Sequence, residues 1–236
     1  MKVKLDRRHL ILGTAMSLLA AGPPLRSAHA QSGDAWYPLK TDDGKPAANM
    51  RLPVELTSEI DHLPGVIWIG SASSAVTLYE FYDYNCPFCR TAAKDLPKLV
   101  QRMPDLRVGL INNAVLGLGS VQAAKVELAL LRLRGPGAAY GLHQALFAMR
   151  GANDGPRALT VSEKMGIGKA QLEKAADSAE VSGMLSQQVR LAADLGLAAT
   201  PSFVAGGVAV LGYPGPKAIA GIIGALDRCG EVICSG

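Results

Sequence analysis

The residues best suited to chemistry are Cys86 and Cys89, which bracket Pro87 and Phe88 in a CxxC motif. Two thiols at this spacing can close a disulfide and exchange an electron pair with another dithiol or disulfide. The exchange needs one sulfur that attacks and one that resolves. If the motif opens a helix, the first sulfur meets unpaired backbone N–H groups and the positive end of the helix dipole, and both favour a thiolate. Cys86 is therefore the candidate nucleophile, with a thiol pKa below that of a free cysteine. Pro87 takes the first helical position, where its missing N–H costs nothing. Cys89, one turn on and less exposed, is the candidate resolving thiol.

Other meanings of a CxxC stay open at this point. A zinc site would need two more ligands. Cys229 and Cys234 could supply them, but His62 and His143 stand isolated in the sequence, so no metal is expected. A purely structural disulfide would leave a client- or metal-binding protein of a different functional class.

The flanking elements suit a redox centre. A β-rich run at 75–81 precedes the motif, and its near-continuous apolar character fits a buried central strand. A helix is expected from 86 to about 103, kinked at Pro97, which removes one backbone donor. Residues 66–69 and 106–112 read as two further strands. Then the pattern turns helical. Val121, Ala124, Leu128 and Leu131 mark one apolar helix face. Further helices are expected at 140–149, 160–165 and 169–177, and along the stripe Val181, Leu185, Val189 and Ala192. The breakers 135–137 and 151–156 separate them. Gly206-Gly207 joins strands at 202–205 and 208–211 in a hairpin, and a helix at 216–227 follows. Thr200-Pro201 stands just before the first of those strands. A proline at a strand start is compatible with a cis bond, though a simple trans proline there is the commoner case.

The N-terminus reads as a secretory leader over residues 1–30. Lys2, Lys4, Arg7 and Arg8 precede an apolar stretch from Leu10 to about Ala21, and Ala28-His29-Ala30 is a small-x-small cleavage site. The stretch is too short for a membrane span of ~30 Å. The Arg7-Arg8 pair and the modestly apolar core favour twin-arginine export over an ordinary secretory signal. The chain holds 24 Lys+Arg and 20 Asp+Glu; without the leader 19 of each remain, so the basic balance belongs to the leader. That gives no support to a nucleic-acid surface. No later run is long and apolar enough to span a membrane. Residues 31–65 form a lead-in of unclear period, read as a tail, an edge strand or an oligomerisation arm.

The run from Glu80 to Arg90, the helical stretch after it, and Ala199-Thr200-Pro201-Ser202-Phe203-Val204 together resemble the DsbA family of exported thiol–disulfide oxidoreductases, over roughly residues 66–227. Each piece is common, and the combination is specific. The resemblance implies an α/β protein: a thioredoxin-like sheet with flanking helices and an inserted all-helical subdomain. The sheet domain would comprise 66–114 and 198–228, the insertion 115–197, and 229–236 a C-terminal tail. It implies that Pro201 is cis and packs against the Cys86–Cys89 pair, and that the Thr200 backbone can pair with a client peptide. No cofactor is implied. Glu80, six residues before Cys86, matches the family's buried acidic residue. A buried carboxylate has a raised pKa and can relay the proton of Cys89. An exposed or salt-bridged strand glutamate is the plainer reading, and Asp83 is a nearby competitor. Phe88 departs from the strongest oxidants of the family, which carry histidine there; phenylalanine cannot stabilise the thiolate electrostatically. Pro87 and Phe88 are thus the residues that tune the couple.

Cys229 and Cys234 read as a local structural disulfide suited to an oxidising compartment, with a second redox pair exchanging with Cys86 as the alternative. The expected function is an exported, periplasmic thiol–disulfide oxidoreductase, most simply a dithiol oxidase because residues 66–227 look monomer-like. Isomerase or reductase activity is the alternative, for which 31–65 could supply an oligomerisation arm. Its partners would be exported proteins with reduced or mispaired cysteines, and a membrane redox partner that resets the site.

Overall fold

The computed structural model describes residues 37–235, so the leader expected at 1–30 lies outside the described residues. In chain order the elements are β1 (Asn49–Arg51), α1 (Val54–Asp61), β2 (Ile67–Ile69), β3 (Val76–Tyr82), α2 (Pro87–Arg102), β4 (Leu106–Asn112), α3 (Leu118–Arg134), α4 (Pro136–Ala148), α5 (Gly155–Lys164), α6 (Lys169–Ala176), α7 (Ala179–Asp194), β5 (Ser202–Ala205), β6 (Val208–Leu211) and α8 (Pro216–Cys229).

Among the described residues the strands form one mixed sheet in the order β1-β6-β5-β3-β4-β2. The parallel pair β3–β4 at its centre is joined through α2, and the remaining pairings are antiparallel. Gly206 and Gly207 turn the β5–β6 hairpin with φ of 54° and 72°, the left-handed pair that a tight hairpin turn needs.

The period of two along β3 divides the core. Val76, Leu78 and Tyr82 pack with α2, α8 and the inserted helices. Tyr79 and Phe81 face the other way, onto Ile60 of α1 and Leu191 and Leu195 at α7. Glu80 falls by alternation on the first face, which α2 covers. α2 itself buries Cys89, Ala92, Leu96 and Leu99, spaced as one helical stripe.

Residues 37–65 of the lead-in pack on the sheet and on α7. β1 pairs with β6 at the sheet edge, so of the three readings for 31–65, residues 49–51 form the edge strand. Asp42 accepts backbone N–H bonds from Lys217 (3.2 Å) and Ala218 (2.7 Å), capping the first turn of α8 from outside it.

The insertion corrects the sequence reading in two places. α3 is no one-sided helix: Ala123, Ala124, Val126, Glu127, Leu128, Ala129 and Leu130 are all buried, while Val121 and Leu131 are only partly so. α4, α5, α6 and α7 surround it, so burial follows the bundle and not a single stripe. The glycine-proline breakers also start helices. α4 begins at Pro136 and α5 at Gly155, where Asp154 accepts the Arg157 N–H at 2.9 Å. Proline in a first turn removes no intrahelical bond, which is why these segments read as interruptions yet are helical.

Candidate active site

Cys86 is the N-cap of α2, with an extended backbone (φ −80°, ψ 122°), and Pro87 occupies its first turn. Cys89 lies one turn on. Both are free thiols; Cys86 is 4% exposed and Cys89 not at all. The turn into the motif is built around Asp83. Its carboxylate accepts the N–H groups of Asn85 (2.7 Å), Val115 and Leu116 (both 2.9 Å) and the Ser120 hydroxyl (2.6 Å). Asp83, the competitor to Glu80, is thereby committed to holding this turn.

The fold brings Thr200 and Pro201 to the motif from 114 positions away in the chain. The Thr200–Pro201 bond is cis, and the Cys86 Sγ lies 2.9 Å from the Thr200 carbonyl. The Cys86 thiol is pulled down to about 6. The hydrogen bond from Cys89 is the largest cause; burial opposes it, and the Thr200 side chain and the backbone N–H groups of Cys89 and Phe88 add to the lowering. Burial, the hydrogen bond to Cys86 and the charge of Glu80 push the Cys89 thiol far up. The two sulfurs are thus driven apart, one toward thiolate and one toward thiol, the division of labour that exchange requires.

Glu80 is 1% exposed, and neither carboxylate oxygen has a hydrogen-bond partner. Burial first, and the Cys86 charge second, raise it to about 8. At neutral pH this carboxyl holds its proton beside two sulfurs that must gain and lose one. Phe88 projects from the helix start, 62% exposed, and supplies the sulfurs with no side-chain donor. Val115, Leu116 and Leu118, on the loop that Asp83 holds against the motif, are also exposed.

Cys229 and Cys234 are bonded to each other. They lie beyond Leu226, which packs on Gly206 at the hairpin turn. Pro201 and Cys86 are at the other end of β5, so this disulfide sits at the far end of the sheet from the motif. Among the described residues no three His, Cys, Asp or Glu gather into a metal site, and no helix is long and apolar enough to cross a membrane.

Sequence reasoning missed a buried polar cluster beside the motif. Glu127, in the middle of α3, is fully buried. It accepts the hydroxyls of Tyr84 (2.5 Å) and Tyr82 and the Asn112 amide (2.9 Å), with His143 Nδ1 at 3.4 Å. Burial and the Glu127 charge hold both tyrosines well above their usual range. The cluster ties β3, β4, α3 and α4 together behind Cys86. Glu127→Ala is expected to destabilise the protein by about 3–5 kcal/mol, because it orphans three buried donors at once. Glu127→Gln keeps one acceptor and should lose less. Urea unfolding of the two variants measures the difference; equal losses would mean the carboxylate is not what the donors need.

The comparisons with known proteins agree with this geometry. A family model described as Thioredoxin matches residues 62–225. A thioredoxin-like oxidoreductase from Silicibacter pomeroyi DSS-3 is 32% identical over 72% of this chain and 94% of its own, with a TM-score of 0.64. The thiol–disulfide exchange protein α-DsbA2 of Wolbachia pipientis matches in fold at 20% identity, covering 73% of this chain and 94% of its own, with a TM-score of 0.66. The catalytic domain of Proteus mirabilis ScsC does so at 24% identity over 70% and 92%, with a TM-score of 0.62. No curated protein sequence matches.

Proposed function

The chain belongs to the thioredoxin family and is a protein thiol–disulfide oxidoreductase with a DsbA-like helical insertion; we propose that it works as a dithiol oxidase of exported proteins. The observation that favours this direction is the folding of residues 37–65 onto their own sheet. The Cys86 thiol, lowered to about 6, lies between thioredoxin (~7) and DsbA (~3.5) and supports the exchange itself. A stabilised thiolate favours the reduced form of the pair, so the disulfide form takes electrons from clients.

In this reading a client thiolate attacks Cys86 in the Cys86–Cys89 disulfide. The S–S bond breaks, a mixed disulfide forms on Cys86, and the electron pair leaves on Cys89. Cys89 is buried and strongly disfavours a thiolate. Glu80, raised to about 8, carries a proton at neutral pH and gives it to the departing sulfur. A second client thiolate then attacks the client sulfur of the mixed disulfide. The client leaves with a new disulfide, and Cys86 leaves as a thiolate. Thr200 and cis-Pro201 would align the client backbone beside Cys86, and the exposed Phe88, Val115, Leu116 and Leu118 would receive apolar segments of a partly unfolded client.

The lead-in favours an oxidase over an isomerase, because residues 37–65 fold back onto their own sheet instead of projecting as an arm. We place the protein in the periplasm, with a signal peptide cleaved near Ala30, resetting against a membrane redox partner. Cys229–Cys234 has the place of a structural staple, bracketing buried Val232 at the end of α8.

Refolding of ribonuclease tests the direction. Disulfide formation in the reduced substrate is the expected result. Activity on scrambled but not reduced ribonuclease would reassign the protein as an isomerase. A Cys86–Cys89 couple as reducing as thioredoxin, ~−270 mV against glutathione, would reassign it as a reductase.

Phe88 gives a graded version of the same test. Phe88→His places a titratable cation donor at the helix start and is expected to lower the Cys86 thiol by about one further pH unit, making the couple more oxidising by roughly 30 mV. Thiolate absorbance at 240 nm and the glutathione equilibrium read both. An unchanged potential would show that the side chain at position 88 does not act on the thiolate.

A further inference from the structure

The CxxC motif is gripped at both ends by one loop of the insertion. Asn85 immediately precedes Cys86. Its amide donates to the Asn153 carbonyl (2.9 Å) and accepts the Asn153 N–H (2.7 Å), a reciprocal pair. The Asn153 side chain, fully buried, donates to the Tyr84 carbonyl at 3.0 Å. Arg90 immediately follows Cys89. Its guanidinium donates to the carbonyls of Phe147 (2.6 Å), Met149 and Gly151 (3.3 Å). The partners on both sides fall within residues 147–153, the last turn of α4 and the connection that follows it toward α5. A guanidinium fork can span three carbonyls where an ammonium cannot, and its charge suits the negative end of α4.

We propose that segment 147–153 is a clamp that holds the redox motif in its thiolate-stabilising geometry, with Asn85 and Arg90 as its positioning residues. The proposal rests on the thiol–disulfide reading above. Neither residue touches a sulfur. Their effect passes through the backbone they fix: the Cys89 thiol, and with smaller effect the Cys89 and Phe88 N–H groups, reach the Cys86 sulfur only while α2 starts at Cys86 and the segment before it is held. A site left loose by about 1 Å loses most of what such donors supply. The insertion thereby becomes part of the redox centre, setting the reactivity of Cys86 from 61 to 67 positions further along the chain.

The test is the pH titration of Cys86 alkylation in the reduced full-length protein and in Asn85→Ala, which removes both bonds to the Asn153 backbone, Arg90→Ala and Arg90→Lys. Gln188→Ala serves as a control: Gln188 is a buried side chain that bonds Asn112 and Pro64 and has no contact with the motif. The clamp predicts that all three variants titrate about one unit higher, so that alkylation at pH 6 slows roughly fivefold. It also predicts that Arg90→Lys behaves like Arg90→Ala. If Arg90 acted only as a nearby charge, Arg90→Lys and Asn85→Ala would titrate as wild type, and the clamp would be overturned. An equal shift in Gln188→Ala would overturn it too, by showing that the titration merely follows stability. Arg90→Lys is mild enough to keep the test open if Asn85→Ala fails to fold. Failure of the oxidoreductase reading looks different: the wild-type protein would titrate near pH 6 yet leave client thiols unchanged.

Discussion

Serine at Cys86 is expected to abolish client turnover, by ~10³-fold or more, while leaving the fold intact. No hydroxyl can replace a thiolate that both attacks and forms the disulfide. Serine at Cys89 should behave differently. Cys86 can still attack, nothing resolves the product, and covalent client adducts accumulate. In the reduced wild-type protein, iodoacetamide should modify Cys86 alone, with a rate that rises with pH, is half-maximal near pH 6, and levels off above it. Cys89 stays silent because burial holds it as a thiol. The hydrogen bond from Cys89 is the largest cause of the low Cys86 value. Cys89→Ala should therefore titrate higher, whereas Cys89→Ser, which keeps a donor, should stay closer to wild type. Turnover surviving in Cys86→Ser would remove the proposed chemistry altogether.

These expectations grew from what was readable in the sequence. The motif at a helix start, the strand before it, the β5–β6 hairpin and the proline beside it were legible because each is local. Strand alternation, a first-turn proline and paired glycines need no tertiary information. Glu80 was legible only through its place relative to Cys86, and the structure adds that its oxygens are buried without partners. What stayed hidden depends on contacts across the chain. Glu127 reads as one polar residue in an apolar helix, and its partners come from β3, β4 and α4. Asn85 and Arg90 read as ordinary neighbours of the motif, and only the docking of the insertion gives them Asn153 and the α4–α5 carbonyls. Asp42, in what reads as a solvated turn, caps a helix 175 positions away.

Glu80 carries a large, pH-dependent expected effect on stability, and the sign follows from its titration. The carboxyl titrates near 4.5 when unfolded and about 8 when folded. Below pH 4.5 both states are protonated, and the residue costs no ionisation. Between those values the unfolded chain is ionised and the folded one neutral, so folding must take up a proton. The stability present at low pH is therefore lost as pH rises through this window, by ~1.4 kcal/mol per unit at most, or on the order of 3–5 kcal/mol by pH 8. Glu80→Leu removes the titrating group and fills the same apolar face of β3. It should match or exceed the wild-type protein at pH 5 and exceed it increasingly toward pH 8 in urea unfolding of the reduced form. A difference that stays flat from pH 5 to 9 would show that Glu80 is not held neutral in the fold. The same substitution should slow client exchange ~10²-fold, because Cys89 must then leave without a proton donor beside it. A residue that weakens the fold at neutral pH and speeds the reaction is one the structure keeps for chemistry. That combination separates a proton relay from a merely tolerated buried charge, which would raise stability on removal and leave the exchange rate unchanged.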